Sequence, residues 1–310
     1  GQESLKRAVE IAVSGFHNLL MIGPPGAGKS MIASRIPGIL PSMTEEEAIE
    51  LSAIYSVIGK LPPNGSLIKE RPFRAPHHTI TAKALCGGGT IPGPGEISLA
   101  HCGVLFLDEL PEFHRETLEV LRQPLENGSM QIHRCGYTYD FPAQFMLVGA
   151  MNPCPCGFYP DLSRCHCSYT AVRRYQEKIS MPLLDRMDMM IEVSALSYPQ
   201  WNQKTQEMSS TQMKKKVERV REIQKERRKG QSFLFNSRMG NQELEEYCAL
   251  GTQEKKLMKK AFDELKISAR GYTKILKVAR TIADLEEKEQ IQTEHLQEAL
   301  CYRIGNGIYR

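Results

Sequence analysis

The sequence predicts an α/β fold, a parallel sheet covered by helices on both faces, followed by an all-helical C-terminal domain. Three observations carry this prediction. Short apolar runs alternate with helical patterns through the first two thirds of the chain, as in sheets buried on both faces. One run leads directly into a glycine-rich turn and then a helical pattern, so the order there is strand, loop, helix. Beyond about residue 197 no strand pattern remains.

Residues 4–14 (SLKRAVEIAVS) place apolar side chains at helical spacing and predict a first helix. The run 18–22 (NLLMI) predicts a strand, the Gly/Pro-rich turn follows, and a helix starts at Lys29. Runs at 104–107, 145–150 and 189–193 predict three further strands. Between them, 72–96 contains Gly87–Gly89, Pro92 and Pro94 and reads as a loop or hairpin extension, with a second hairpin at 130–141. Met213, Val217, Val220 and Ile223 then recur at helical spacing, as do apolar residues in 257–265 and 274–285, and Thr293 precedes a last helix. The expected division is an αβα domain over 1–196, with insertions near 72–96 and 130–141 and a cysteine loop at 154–167, and a helical lid domain over 197–310.

Length agrees, since 310 residues fit two domains of ~150 each. The net charge of +4 neither demands nor excludes a polyanionic partner, so a nucleic-acid case must rest on local patches. No apolar run approaches the ~18 residues of a membrane span and no signal peptide opens the chain, which predicts a cytoplasmic protein without membrane attachment. A start at Gly1 without Met predicts a piece of a longer protein. Five of the nine cysteines (Cys86, Cys102, Cys135, Cys248, Cys301) are scattered and are expected to stay reduced.

Gly23-Pro24-Pro25-Gly26-Ala27-Gly28-Lys29-Ser30 matches G-x-x-x-x-G-K-[ST] in its required context between strand and helix. Glycines let backbone N–H groups turn toward phosphate oxygens. Lys29 is expected to reach the β- and γ-phosphates of ATP, and the Ser30 hydroxyl to bind Mg²⁺. The run 104–107 ends in Asp108 and Glu109. A carboxylate at a strand tip beside the loop suits the Mg²⁺ shell, giving Asp108 that role and Glu109 the orientation or deprotonation of the attacking water. The plain alternative is an acidic pair capping the next helix. Asn152 ends the following strand, where an amide can bond both water and γ-phosphate, although Asn after a strand is also an ordinary turn signal. Nothing marks an acceptor pocket, so the pattern indicates an ATPase rather than a kinase.

Cys154-x-Cys156 and Cys165-x-Cys167 form a two-plus-two set suited to tetrahedral Zn²⁺. The spacing departs from the usual C-x-x-C, His166 is a possible substitute ligand, and four free thiols remain the alternative. Disulfides within C-x-C pairs close poorly. On the hairpin at 130–141, His133, Arg134 and Tyr137 combine basic groups with an aromatic, as DNA contact by phosphate pairing and base stacking requires; the alternative is a solvated hairpin. The basic run Lys214–Lys216, Arg219, Arg221, Lys225 and Arg227–Lys229 is interleaved with Glu218, Glu222 and Glu226 and reads as a solvated helix face.

Longer stretches go further. PFRAPHHTITAKALCGGGTIPGPGEISLAHCGVLFLDELPEF (72–113), NPCPCG (152–157), PLLDRMD (182–188) and SARGYTKILKVARTIADL (268–285) resemble the ComM/YifB family, described as magnesium-chelatase-like or competence protein, over essentially the whole chain. The resemblance implies an AAA+ P-loop NTPase assembled as a ring, usually a homo-hexamer, with ATP between subunits. It implies that Arg186 is the arginine finger reaching the neighbouring site, that Arg270 is the sensor-2 arginine of the lid, and that 72–96 is a pore-lining insert. It further implies a DNA branch-migration helicase supporting homologous recombination in natural transformation. The alternatives are a magnesium-chelatase-type motor remodelling a protein partner and a nucleotide-dependent binding switch; intact Asp108, Glu109 and Arg186 weigh against the switch. Family members also carry an N-terminal Lon-protease-like domain that this sequence lacks. Gly271-Tyr272-Thr273-Lys274 departs from the aromatic or histidine-rich segment usual after SAR, which puts lid rigidity in question.

Overall fold

The structure is a computed structural model describing residues 2–90, 92–134, 136–194, 209–227 and 235–303. The expected domain boundary near residue 197, together with Cys135, Arg228 and Lys229, lies outside the described residues. Nine strands are described: β1 (Leu19–Ile22), β2 (Phe73–Arg74), β3 (Gly87–Gly88), β4 (Gly93–Pro94), β5 (Val104–Leu107), β6 (Ser129–Arg134), β7 (Tyr137–Pro142), β8 (Met146–Met151) and β9 (Met189–Glu192). Five form one sheet in the order β2-β5-β8-β1-β9. Its pairings are parallel, with Phe73 opposite Val104, Val104 opposite Met146 and Leu19 opposite Met189. Parallel neighbours distant in sequence need crossover connections, which puts helices on the sheet faces. Every residue of β1, β5 and β8 is buried, which is why those strands read as continuous apolar runs. The small hairpins β3–β4 and β6–β7 fall in the two segments read as insertions.

One sheet strand lay hidden in such a segment. β2 is only Phe73–Arg74, inside the stretch expected to be wholly loop or hairpin. Two residues, one of them charged, give no apolar run. Its position is set by tertiary bonds instead: Val104 N donates to Pro72 O over 2.8 Å. The preceding helix, Glu45–Val57, opens on a reciprocal cap in which Glu47 N donates to Thr44 Oγ1 (3.2 Å) and Thr44 N to Glu47 Oε2 (2.9 Å). The same Glu47 holds Arg71 at 3.0 Å, and Arg71 Nη1 donates to Cys102 O over 2.6 Å, joining the cap to the entry of β5.

The chain forms two compact units. One comprises Gly23–Pro37 and Ser42–Arg186; the other comprises the residues up to Ile22, Gly38–Pro41 and the residues from Met187 onward. In the second, the helix Ala269–Leu285 starts where Ser268 Oγ accepts from Gly271 N over 3.1 Å. A Cβ at Gly271 would lie 2.9 Å from Ile267 Cγ2 and 3.3 Å from Ser268 Oγ. The glycine is therefore a close-packing requirement of the cap. Buried Arg280 donates to Asp284 (3.0 Å) and to Glu289 O (2.8 Å), and Asp284 also accepts from Asn236 (2.7 Å) and pairs with Arg227. Arg221 lies over the Phe235 ring at 4.3 Å. The basic run is thus not the solvated face expected throughout: Arg221 is buried against Phe235 and Arg227 pairs with buried Asp284.

His17 is fully buried in this unit, its Nε2 2.8 Å from Thr281 Oγ1 and its Nδ1 3.9 Å from Asp188 Oδ2, which itself pairs with Lys274. Burial pushes the imidazole down from 6.5 to about 4; Asp188 opposes this, while Lys277 and Lys274 reinforce it. The folded state thus refuses a proton that the unfolded chain accepts. This contribution to stability is complete above pH 6.5 and is lost progressively as the pH falls toward 4. The expected loss from this group is up to about 3 kcal/mol. Urea midpoints across that window should fall less steeply for His17→Asn than for the wild type; equal slopes would reject the assignment.

Candidate nucleotide site and four-cysteine loop

The turn after β1 takes left-handed backbone at Gly26 (φ 75°) and Gly28 (φ 83°), and the helix Lys29–Ala33 follows at once. A Cβ at Gly26 would meet nothing within 4 Å, so the loop faces open space there. Lys29, 7% exposed, donates from Nζ to Gly23 O (2.6 Å), Pro24 O (2.9 Å) and Asn152 Oδ1 (3.2 Å). Burial lowers its pKa, and the Asp108 carboxylate opposes that shift. Ser30 Oγ donates to Asp108 Oδ2 over 2.6 Å. Asp108 Oδ1 accepts from Glu109 N over 2.9 Å, and Glu109 adopts φ 51°, a left-handed conformation uncommon outside glycine. The turn leaves the Glu109 side chain 61% exposed, its Oε2 3.5 Å from His78 Nδ1. The structure thus brings Lys29, Ser30, Asp108, Glu109 and Asn152 together at the carboxyl ends of β5 and β8.

His78 is the neighbour that sequence reasoning passed over. Its ring lies 4.0 Å from that of His77, tilted by 35°, and meets the Phe113 ring edge-on at 6.4 Å. The only signal was a pair of adjacent histidines in a segment that otherwise reads as loop. Arg186 does not join the cluster by any bond described. It donates to Glu126 (2.6 Å), Pro182 O (2.8 Å) and Arg122 O (3.2 Å), and its side chain is 11% exposed. Arg270 is exposed at the second position of the helix Ala269–Leu285, in the other unit.

The sulfur atoms of Cys154, Cys156, Cys165 and Cys167 all lie within 4.8 Å of one another. Cys154 Sγ is 3.3 Å from Cys156 Sγ and 3.8 Å from Cys165 Sγ, and Cys156 and Cys165 are 3.5 Å apart. Tetrahedral zinc with bonds of ~2.3 Å needs sulfurs ~3.8 Å apart, so the donor set fits. His166 is exposed and outside the group. The Phe158 backbone amide and then the neighbouring thiols pull the Cys156 thiol down to about 6.

In the β6–β7 hairpin Arg134 faces Tyr137, Ile132 faces Tyr139 and His133 faces Thr138. Alternation along the strands puts Arg134, Tyr137 and Tyr139 on one face and His133 on the other. Tyr137 is 71% exposed and Tyr139 37%. The sequence trio therefore divides, and Tyr139 joins the basic–aromatic face.

The strand order, the phosphate loop after β1 and the acidic tip of β5 define an AAA+ module. The chain belongs to the family described as magnesium chelatase, subunit ChlI, whose profile matches residues 1–201, with the C-terminal profile of that subunit matching 207–303. It is 49% identical to competence protein ComM of Haemophilus influenzae, over 98% of this chain and 58% of that protein. Identity to YifB of Escherichia coli is 44%, over 98% and 59%. The magnesium-chelatase 38 kDa subunit of Rhodobacter capsulatus is 25% identical over 49% of this chain and 48% of its own. The chain spans about three fifths of the length of the first two relatives. Among the described residues no helix is long and apolar enough to cross a membrane.

Proposed function

We propose that this chain is the ATP-hydrolysing module of a ring motor acting on DNA, with branch migration in homologous recombination during natural transformation as its task. The observation that carries the reading is the convergence of Lys29, the Ser30–Asp108 pair, Glu109 and Asn152. The oxygens of Ser30 and Asp108 are the hard donors Mg²⁺ prefers, and bound Mg²⁺ would neutralise charge on the β- and γ-phosphates. Lys29 exchanges its neutral carbonyl partners for phosphate oxygens of ATP. Asp108 fixes Ser30, Glu109 takes the proton of the attacking water, and the Asn152 amide orients that water. Structural Zn²⁺ on the four cysteines belongs to the same reading. So does a cytoplasmic location, where both ATP and DNA are found. Similarity to a competence protein favours DNA as the object moved. The family description favours a second reading, a chelatase-type motor acting on a protein partner; stimulation of turnover by branched DNA separates the two.

Lys29→Ala should abolish Mg·ATP binding, and Glu109→Gln should bind normally yet lose at least ~100-fold in turnover. Nucleotide titration with phosphate-release assays checks both; wild-type turnover by Glu109→Gln would remove it as the base.

In a ring of identical chains, Arg186 acts on the neighbour's nucleotide, worth ~10³–10⁵ in rate. Specific activity should then rise with protein concentration. Mixing Arg186→Ala with Lys29→Ala chains should restore some activity, because an intact site takes its loop and its arginine from different chains. Mixed rings no better than either variant alone, with mixing demonstrated, would count against the arrangement.

On the hairpin, Tyr137→Ala should weaken single-stranded DNA binding ~10-fold through lost base stacking. Arg134→Ala should lower the salt slope by about 1. Fluorescence anisotropy across salt concentrations reads both, and unchanged affinities would leave only a solvated hairpin.

A further inference from the structure

The four-cysteine loop touches the nucleotide site directly. Cys154 follows Asn152 by two residues, and the Asn152 amide is a partner of Lys29. On the other side of the thiol pair, Gly157 adopts φ 86° and packs on the phosphate loop. A Cβ there would lie 2.5 Å from Pro25 Cδ and 3.8 Å from Asn152 Cγ. Only a bare glycine backbone fits against the proline ring of the phosphate loop here, with the side chain that holds Lys29 close by. From behind, Gln176 Nε2 donates to Pro153 O over 3.0 Å, a buried bond that pins the peptide between Asn152 and Cys154.

The other bonds described within residues 154–167 are local turns, such as Cys165 N to Asp161 O (2.8 Å), and Arg164 over the Phe158 ring at 4.0 Å. The apolar cluster beneath them is Cys154, Cys165 and Val172, with Phe158 and Tyr159 packed against it. So small a core does not by itself fix a loop of that length. Four thiolates closing on one ion do, because they cross-link both ends of the segment and leave no open coordination position. The donor set is all sulfur, which selects a soft, tetrahedral ion and not the Mg²⁺ of the nucleotide site.

We propose that zinc on Cys154, Cys156, Cys165 and Cys167 is a brace for nucleotide binding: it holds Gly157 against Pro25 and Asn152 and so fixes the phosphate loop and the Lys29 partner. The inference rests on the nucleotide-site reading. Coupling between two bound ligands is reciprocal, so zinc tightens nucleotide binding by the same factor by which nucleotide tightens zinc. That makes the brace measurable on the wild-type protein without disturbing a single thiol.

Elemental analysis should give about one zinc per chain. In equilibrium competition with a zinc-selective chelator, zinc should bind at least ~5-fold tighter with saturating Mg·ADP than with Mg²⁺ alone, the lower end of ordinary coupling. Lys29→Ala should show no such tightening. Zinc-depleted protein should bind Mg·ADP weaker by a similar factor and recover on zinc addition. Zinc present but bound with the same affinity with and without nucleotide, in protein that binds Mg·ADP, would overturn the brace and leave both sites standing. Protein without zinc would overturn the metal site and the brace. Failure to bind Mg·ADP at all would overturn the nucleotide reading and the brace with it.

Discussion

The bond from Ser30 Oγ to Asp108 Oδ2, 2.6 Å long, joins two segments that sequence keeps far apart. It exists only because β5 stops at Leu107, so that a fully buried apolar strand delivers its next residue to a surface. The backbone then turns sharply: Glu109 takes left-handed geometry and its amide is caught by the other Asp108 oxygen. Asp108 thus satisfies two donors at once, and Glu109 is left projecting. Non-glycine residues in that region of conformational space cost ~1–3 kcal/mol and cluster where function requires them. Here the cost is offset by the bond that positions the neighbour.

The electrostatics follow from the same arrangement. An ammonium as buried as that of Lys29 needs partners, and three oxygens supply them. Two are neutral backbone carbonyls and the third a neutral amide oxygen. Hydrogen bonds to ionised acceptors are roughly twice as strong, so by the proposed reading an arriving phosphate displaces carbonyls that were holding the lysine in place. The loop is organised before its ligand comes, and little conformational entropy is left to lose on binding.

How much of this was legible depended on whether the signal was local. β1, β5 and β8 could be read because burial on both faces leaves unbroken apolar runs, and the phosphate loop because glycines and Lys29 are contiguous. β2 could not be read, because Phe73–Arg74 becomes a strand only through Pro72 and Val104. The β6–β7 hairpin was visible in the sequence, but the face on which Tyr139 joins Arg134 follows from register, which one residue of slip would reverse. His78 beside Glu109 and Gly157 beside Pro25 are contacts across long loops, and neither residue type announces its partner. The Gly271 departure, readable only as an irregularity, becomes a requirement once Ile267 and Ser268 are seen around it.

Arg186 shows where magnitudes decide. In a single chain its guanidinium is held by Glu126 and two carbonyls and is largely covered. Reaching a neighbour's phosphate, as proposed, requires these bonds to exchange. Glu126 is 50% exposed, and ion pairs with one partner in water contribute about 0–1 kcal/mol. An arginine that stabilises a transferring phosphoryl contributes 10³-fold or more, ~4 kcal/mol. In the proposed ring a desolvated phosphate outcompetes the Glu126 pair, and the Nε and Nη1 bonds to Arg122 O and Pro182 O exchange along with it. By the proposed reading, the covered guanidinium leaves a half-exposed carboxylate for a phosphate shielded from water, and that difference in screening favours the exchange.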